Sequence, residues 1–267
     1  MNNTNDYSII NKPVIGVVQL DALPGTELYN SHQGIYKIVE KAKADYEALL
    51  DGGIDAVIFC NEYDKPYSKH VDPHIVSVMT MIINEVIQKK LVPFGVDIQW
   101  DPQAALAVAL ATNASFIRGI LVGVYCGDLG LYETDIEALL AYRRKIGAQR
   151  VKLFANLVPE FSYSLDDRPL ALRAKTVSKS ALIDGICVSG IMAGINAELD
   201  QLKEVKQAVG DFTVIANTGV NVENIGDILN IVDGCFVATS VKVESVADKK
   251  VDLQKVKNLM KAKREKN

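Results

Sequence analysis

Long hydrophobic runs are missing from this 267-residue chain, whose longest uninterrupted apolar stretch is AALAVALA at 104–111. A membrane-spanning helix needs about 20 apolar residues, so the sequence predicts no membrane span. The first twelve residues, MNNTNDYSIINK, have neither the positive start nor the apolar centre of a secretory signal. We therefore expect a cytoplasmic location.

Cysteine is scarce, and its spacing excludes the usual cysteine-based sites. The four cysteines form no C-x-x-C pair, and three of them lie in apolar, strand-like runs. This pattern predicts buried free thiols in a reducing compartment, not disulfides or a structural zinc site. The residues are Cys60, Cys126, Cys187 and Cys235.

Histidine is equally scarce, with three residues in the chain. His70 and His74 are four residues apart, but Pro73 lies between them at a predicted helix start and no H-E-x-x-H motif follows. No histidine follows a strand end, so Ser-His-Asp catalysis has no support. We predict neither a metal site nor a cofactor. Binding of a divalent cation together with the ligand, through the carboxylates of Asp64, Asp97 and Asp101, is an open alternative.

A basic face is also missing, and the net charge is -4. Nucleic acid is therefore not expected as a partner, because neutralising phosphates requires clustered Lys and Arg. The basic run KAKREKN at the C-terminus is typical of the solvated end of a last helix. With 49% hydrophobic and 23% charged residues, the composition is that of an ordinary globular protein.

The sequence does contain a regular alternation of apolar strand-like segments with longer segments of helical spacing. Because nearly continuous apolar strands need cover on both faces, the pattern predicts an α/β fold, a single (β/α)₈ TIM barrel at 13–267 after an N-terminal extension at 1–12. A doubly wound open sheet is the alternative. The predicted strands are 13–20, 54–61, 92–98, 115–122, 150–157, 183–189, 212–217 and 233–239.

A weak repeat, GIDAVIF, LIDGICV and IVDGCFV, places Asp55, Asp184 and Asp233 at strand starts. In a barrel the active site is built at the opposite, carboxyl ends of the strands. We therefore assign these three aspartates to stability, capping or loop contacts and not to chemistry. The expected polar edge carries Gln19, Asn61, Glu62, Asp64, Asp97, Asp101, Asn156, Glu160, Ser189, Asn217, Thr239 and Lys242.

Three charges lie within predicted strands, namely Asp97, Arg118 and Lys152. Helices seal the outside of a barrel, so we expect these side chains to point into its mouth and to interact. One interpretation is a buried structural ion network. In the other, Arg118 and Lys152 hold an anionic substrate and Asp97 or Asp101 transfers a proton; a Schiff base on Lys152 is a further alternative.

Small and polar residues follow the last three predicted strands. Loops after strands 7 and 8 of barrels often bind phosphate through backbone N–H groups, so we predict an anion site there. Its candidate residues are Ser189, Gly190, Gly194, Asn217, Thr218, Gly219, Thr239 and Ser240. The segments NEYDKPY (61–67) and GVYCGDLGLYE (123–133) are lid candidates; the first is alternatively an ordered surface loop and the second an oligomer contact.

Several motifs occur in the order and at about the spacing of the BtpA/SgcQ family, which the chain resembles from residue 13 to about 255. They are VIGVVQLDALPGT, GGIDAVIFCNEYDKPY, FIRGILVG, DGICVSGIMAG, NTGVNVENI and DGCFVATSVK. The resemblance implies a TIM barrel related to the ribulose-phosphate-binding barrels, often oligomeric. It also implies an enzyme of small phosphorylated compounds, with one branch associated with photosystem I biogenesis.

The chain departs from this family at several titratable positions. Gln19 stands where the family usually has His, Cys60 where it has Glu, and Asn156 where it has Asp. The retained residues include Asn61, Asp64, Asp101, Arg118, Gly190, Gly194, Gly219, Thr239 and Lys242. We predict an isomerase, lyase or hydrolase acting on a small phosphorylated or otherwise anionic metabolite, a sugar or nucleoside derivative. The alternative is a barrel without turnover that serves as a metabolite-binding or assembly factor.

Overall fold

The computed structural model describes residues 11–88, 92–190 and 199–266, and in them eleven strands and eight α-helices. In chain order the strands are β1 (Val14–Gln19), β2 (Ala56–Cys60), β3 (Phe94–Asp97), β4 (Phe116–Gly119), β5 (Val124–Gly127), β6 (Gly130–Glu133), β7 (Lys152–Asn156), β8 (Ser162–Ser164), β9 (Gly185–Val188), β10 (Val214–Ala216) and β11 (Gly234–Val237). The helices are α1 (Gly34–Asp51), α2 (Pro73–Val86), α3 (Pro102–Thr112), α4 (Ile136–Lys145), α5 (Leu170–Ser180), α6 (Leu199–Val209), α7 (Ile225–Ile231) and α8 (Leu253–Lys266).

Eight of these strands close into a barrel in the order β1, β2, β3, β4, β7, β9, β10, β11 and back to β1. All neighbouring strands of this barrel are parallel. Gly16 of β1 lies opposite Val57 of β2 on one side and opposite Val237 of β11 on the other, which closes the ring. The predicted (β/α)₈ barrel is confirmed, and the open sheet is excluded.

Apolar side chains fill the inside of the barrel, because alternate residues of each strand point inward. This inner cluster comprises Ile15, Val17, Ala56, Ile58, Cys60, Phe116, Phe154, Cys187, Ile215 and Phe236. Gly95 of β3 makes room for one of its rings, since a Cβ there would lie 2.2 Å from an atom of Phe116. The outer face packs against the helices in a second, larger cluster.

On several strands the last apolar residue that points inward is followed, two residues later, by a polar residue that also points inward. The pairs, with the apolar residue first, are Val17 and Gln19, Phe116 and Arg118, Phe154 and Asn156, Cys187 and Ser189, and Ile215 and Asn217. These polar residues stand at the carboxyl ends of their strands, where barrel enzymes carry their sites.

The amino ends of the strands are tied together by the three repeated aspartates. A carboxylate oxygen of Asp55, Asp184 or Asp233 accepts a hydrogen bond of 2.8 Å from the backbone N–H of a neighbouring strand. The donors are Val14, Leu153 and Val214, respectively. These aspartates make the structural contacts that were predicted, because each carboxylate satisfies a backbone donor within the first two residues of a strand.

A small antiparallel sheet, in the order β6, β5, β8, lies outside the barrel. Tyr125 and Tyr132 of this sheet are buried, and Tyr132 packs edge-on against Trp100 with ring centres 5.0 Å apart. The first two strands lie in the segment 123–133, which the sequence predicts as a lid loop or an oligomer contact. Four-residue strands joined by a two-residue turn show too few alternations for a hydrophobic pattern to reveal them.

All four cysteines are free, and Cys60, Cys187 and Cys235 are buried as predicted, whereas Cys126 is exposed. Burial raises the pKa of Cys187 and of Cys235 to about 12. Within the described residues, none of the helices combines the length and the hydropathy needed to cross a membrane.

Candidate active site

A cavity of about 540 Å³ opens at the carboxyl ends of the barrel strands. Its floor includes Gln19, Asp97, Arg118, Asn156 and Asn217, and its walls come from the loops that follow the strands. The volume lies within the range of pockets that bind small metabolites. The cavity is therefore the candidate active site.

Arg118 and Asp97 form a buried ion pair on the cavity floor. Nε and Nη2 of Arg118 donate to Oδ2 of Asp97 at 2.8 and 2.6 Å, and the side chains are 11% and 4% exposed. Burial raises the pKa of Asp97, and the guanidinium opposes this rise. Burial would lower the pKa of Arg118, but the carboxylate of Asp97 raises it. The predicted interaction between these two residues is confirmed.

A chain of hydrogen bonds extends from this ion pair across the floor. Nη1 of Arg118 donates to Oδ1 of Asn217 at 2.7 Å, and Nδ2 of Asn217 donates to Oγ of Ser189 at 2.8 Å. The Ser189 hydroxyl donates in turn to Oδ1 of Asn156 at 3.3 Å. These bonds determine which way each amide points, so four strands hold one rigid polar layer.

Gln19 completes the floor on the side of β1 and is 7% exposed. Burial raises the pKa of Glu62, and the Gln19 side chain is among the groups that oppose this rise. Among the described residues, neither Oε1 of Gln19 nor Oδ1 of Asp97 has a hydrogen-bond partner. The floor therefore carries two buried acceptors whose hydrogen-bonding capacity the protein does not use.

Glu62 and Glu160 line the walls of the cavity. Burial raises the pKa of both carboxyl groups, and Lys65 and Arg118 only partly oppose the rise for Glu62 and Glu160, respectively. A raised carboxyl pKa suits proton transfer near neutral pH. The sequence predicts both residues on the polar edge, but the predicted proton-transfer residues are Asp97 and Asp101. The sequence feature that pointed to these glutamates is their position shortly after a strand: Glu62 comes two residues after β2 and Glu160 four residues after β7.

Thr218, Gly219, Thr239 and Ser240 line the rim above β10 and β11, as the anion-site prediction requires. The hydroxyl of Ser240 donates to the carbonyl of Val220 at 2.6 Å, which joins the two loops. Gly219 has a φ of +72°, a conformation that glycine adopts readily. Gly190 and Ser189 do not line the cavity; the backbone N–H of Gly190 supports the rim by donating to Oγ1 of Thr218 at 2.7 Å.

Lys255 of α8 adds a cation to the same rim. Its Nζ donates to the carbonyl of Lys242 at 2.8 Å and to Oγ of Ser245 at 2.9 Å. Two of the three ammonium N–H bonds therefore hold the side chain in place. Lys255 is absent from the residues predicted from the sequence, because those lie in or after strands and this lysine comes from the last helix.

Lys152 does not belong to the site, and the prediction that it joins Arg118 and Asp97 is wrong. It is the first residue of β7, whereas Asn156 at the cavity is the last. Four residues of a strand span about 13 Å, and the inward Phe154 lies between these two levels. The predicted strand began two residues too early, which placed Lys152 near its middle.

Asp101 caps a helix and does not line the cavity, so its assignment to proton transfer is wrong. Its Oδ1 accepts from the N–H of Ala104 in the first turn of α3 at 3.0 Å, and its Oδ2 accepts from the N–H of Val71 at 2.9 Å. Both oxygens are therefore used to join the start of α3 to the segment before α2.

Asn61 and Asp64 brace the loops, and the prediction that they bind substrate is wrong. Nδ2 of Asn61 donates to Oδ2 of Asp64 at 3.0 Å, while its Oδ1 accepts from the N–H of Gln99 at 2.8 Å. Oδ1 of Asp64 accepts from the N–H of Leu23 at 2.7 Å. This pair ties together the loops after β1, β2 and β3, and neither residue lines the cavity.

Lys242 is also not a cavity residue, although its neighbours Ser240 and Val241 are. Its side chain is fully buried, and its Nζ donates to the carbonyl of Ala247 at 2.7 Å. Burial lowers the pKa of this lysine. The predicted role in substrate binding is wrong, because the chain turns sharply at 239–245 and directs Lys242 into the protein. Gly194 lies outside the described residues.

No group of three His, Cys, Asp or Glu side chains in the described part of the chain is arranged to hold a metal ion. The carboxylates of Asp64 and Asp101, which were considered for a divalent cation, accept hydrogen bonds from backbone N–H groups instead. Cys60, between Gln19 and Asp97 in register, accepts from Nε2 of Gln99 at 3.3 Å. Burial raises the pKa of this thiol well above its ordinary value, so it is not a ready nucleophile.

The chain matches the BtpA family over residues 10–265. The putative sgc region protein SgcQ of Escherichia coli is 39% identical over 249 residues, which cover 93% of each chain. The photosystem I biogenesis protein BtpA of Synechocystis is 32% identical over 243 residues, covering 90% of this chain and 84% of that relative.

Solved structures with low sequence identity share the barrel. Thiamine phosphate pyrophosphorylase from Pyrococcus furiosus is 18% identical with a TM-score of 0.57, covering 96% of this chain and 97% of that chain. Phosphoribosyl anthranilate isomerase from Thermus thermophilus is 11% identical with a TM-score of 0.58, covering 95% and 100%. At such identities the likeness demonstrates the fold alone.

Proposed function

The chain belongs to the BtpA family, and we propose that it is an enzyme of the isomerase, lyase or hydrolase type acting on a small phosphorylated sugar or nucleoside-like metabolite. The observation that carries this proposal is one cavity with two chemically different parts. Its rim combines the ammonium group of Lys255 with the backbone of the loops after β10 and β11. Its walls carry the carboxyl groups of Glu62 and Glu160, whose pKa is raised.

The rim above β10 and β11 supplies what a phosphate group needs. Gly219 lets the backbone approach a ligand closely, the Thr239 and Ser240 segment stands beside it, and Lys255 brings a positive charge. A phosphate here would receive charge-assisted hydrogen bonds, which are the stronger kind. Two solved neighbours are named for phosphorylated compounds, which supports the proposal by fold analogy.

Glu160 and Glu62 supply the acid or base. Proton transfer is most efficient when the pKa of the group is near the working pH, and burial moves both carboxyl groups in that direction. Arg118 favours the ionised form of Glu160 and so offsets part of the rise that burial causes in the pKa of this residue. We assign the proton transfer to Glu160, with Glu62 as its partner across the cavity.

A second candidate is a barrel that binds a metabolite without converting it and acts in assembly. Two observations favour it: the strand ends carry Gln19, Cys60 and Asn156, which supply no carboxylate, and one relative is named a photosystem I biogenesis protein. The two candidates differ in turnover. The first requires that Glu160→Gln abolish conversion of a bound compound while leaving its affinity nearly unchanged.

The phosphate site is tested by measuring how phosphorylated compounds raise the Tm of the full chain, because a ligand stabilises the folded state as its concentration exceeds Kd. Lys255→Met should weaken binding about tenfold, the loss of one charge-assisted hydrogen bond. Lys152→Met removes a lysine from the opposite end of the barrel and is the matched control. Equal affinities in both variants and the wild type would contradict the proposal.

A further inference from the structure

One arc of the cavity is apolar, and much of it lies across the barrel from the rim. Trp100, Ile120 and Phe161 line the cavity and come from the segments that follow β3, β4 and β7. These three strands are neighbours in the barrel, so the three residues occupy one continuous arc. In the closed ring β3 and β4 stand opposite β10 and β11, which carry the rim. The cavity therefore has a polar, cationic side and an apolar side.

Phe161 is the accessible member of this apolar arc. It is 47% exposed, whereas Trp100 is 6% exposed and Ile120 is 5% exposed. Burying a phenylalanine side chain is favourable, because it removes a large apolar surface from water. The fold leaves that stabilisation unused at Phe161. A ligand in the cavity reaches this residue without any rearrangement of the wall.

The backbone of Phe161 also has an unfavourable conformation. Its φ is +60°, in the left-handed region that bulky side chains rarely adopt. Trp100, the other aromatic residue of the arc, has a φ of +68°. Such outliers persist where the surrounding structure holds them, and they cluster at ligand sites. Exposure and a left-handed backbone at a residue that lines the cavity indicate a role in binding, not in folding.

The chemistry of a phenylalanine side chain limits which ligand group fits here. The ring has neither a hydrogen-bond donor nor an acceptor, so a hydroxyl or phosphate group gains no hydrogen bond from it. A flat ring of a ligand gains apolar contact and stacks on its face. Nucleic-acid bases stack on aromatic side chains in this way whatever their identity, because every base has a π face.

We propose that the substrate is a sugar phosphate that carries a planar ring, as a nucleoside monophosphate does, and that this ring stacks on Phe161. The inference rests on the proposed function, because it takes the phosphate to lie at the rim near Ser240 and Lys255. It selects the nucleoside-like metabolite over the simple sugar phosphate. Lys255 then determines specificity for the charged end of the substrate, and Phe161 determines specificity for the planar end.

The test compares three probes by titration calorimetry on the full chain: ribose 5-phosphate, adenosine 5′-monophosphate and uridine 5′-monophosphate. The nucleotides contain the same sugar phosphate with a base in place of one hydroxyl group, so a gain in affinity reports on the ring. Wild-type protein should bind at least one nucleotide about tenfold more tightly than ribose 5-phosphate. Phe161→Ala should abolish this gain and leave the affinity for ribose 5-phosphate within about twofold.

Three further variants separate stacking from other effects. Phe161→Leu removes the ring but keeps an apolar side chain, so it should behave like Phe161→Ala and guards against a folding defect in that variant. Phe161→Tyr keeps the ring and should keep the gain. Tyr163→Ala removes an aromatic side chain that is 77% exposed and does not line the cavity, so it should bind all three probes as wild type does. Circular dichroism and Tm without probe report whether each variant is folded.

The outcomes distinguish the stacking site from the phosphate site. Stacking is overturned if neither nucleotide binds wild type more tightly than ribose 5-phosphate, or if folded Phe161→Ala and Phe161→Leu keep the full gain. Lys255→Met should weaken all three probes, and unchanged binding in that variant overturns the phosphate site instead. A gain that Phe161→Ala loses, and that Phe161→Tyr and Tyr163→Ala retain, supports the proposal.

Discussion

Oδ2 of Asp97 accepts two hydrogen bonds from Arg118, at 2.8 and 2.6 Å, whereas its Oδ1 is buried without a partner among the described residues. One oxygen of this carboxylate is thus committed to the ion pair, and the other is buried without a hydrogen bond from the described residues. The sequence left open a structural ion network and a substrate-binding role. The structure shows a buried ion pair whose two residues also line the cavity.

Arg118→Met should lower the free energy of unfolding by about 3–5 kcal/mol at pH 7, because it leaves the Asp97 charge buried without its partner. The loss should shrink as the pH falls and Asp97 takes up a proton. Urea unfolding at pH 7 and at lower pH measures both effects. The double variant Arg118→Met, Asp97→Leu should be more stable than the single one at pH 7; equal or lower stability would contradict the account.

Asp101→Ala should lower the free energy of unfolding by about 2 kcal/mol or more, because it removes the α3 cap and the bond to Val71 together. Asp72→Ala is the matched control: it too precedes a proline that starts a helix, yet its side chain makes no capping hydrogen bond. We expect a change below about 0.5 kcal/mol there. Similar losses in both variants would show that the capping assignment is wrong.

Glu160→Gln should become increasingly stabilising relative to wild type as the pH rises above 4.5. Burial raises the pKa of Glu160 from 4.5, so the folded protein keeps a proton that the unfolded chain has lost, and stability falls as the pH rises through the folded-state pKa. Urea unfolding from pH 4 to pH 8 measures this difference. Glu47→Gln, at an exposed position, controls for removal of a negative charge; a Glu160→Gln difference that does not change with pH would contradict the assignment.

Gly95→Ala should destabilise the fold by about 1–3 kcal/mol, because the added Cβ would lie 2.2 Å from the ring of Phe116 inside the barrel. Gly119→Ala is the comparison: a Cβ there has its nearest neighbour at 3.5 Å, an ordinary contact. The difference between the two variants in thermal unfolding reports on packing inside the barrel. Equal losses would argue against the inward placement of Gly95.

Much of the barrel was predictable because its signal is repeated. Each strand gives a short apolar run, and Asp55, Asp184 and Asp233 mark strand starts in the same way. The pairing of Arg118 with Asp97 was also predictable. The two residues lie on neighbouring apolar strands, and a buried charge is costly unless an opposite charge lies next to it.

The remaining site residues depend on distances that hydrophobic patterns do not contain. Lys152 and Arg118 both appear in the sequence as a cation within an apolar run. Because β7 begins at Lys152, this lysine lies at the end of the barrel opposite the cavity. Lys242 is buried by a turn that starts after β11, and Lys255 reaches the cavity from a helix that follows it. The positions of both lysines depend on how the last loops and helix pack in three dimensions, which the local hydrophobic pattern of the sequence does not predict.

The central claim, that the barrel mouth binds a phosphorylated metabolite, is tested most directly by the fluorescence of Trp100. It is the only tryptophan of the chain, it is 6% exposed, and it lines the cavity. Titration with ribose 5-phosphate should change its emission along a saturable curve, and Lys255→Met should shift that curve to higher concentration. Stabilisation of the protein by this compound without any change in Trp100 emission would contradict the claim, because binding would then lie elsewhere.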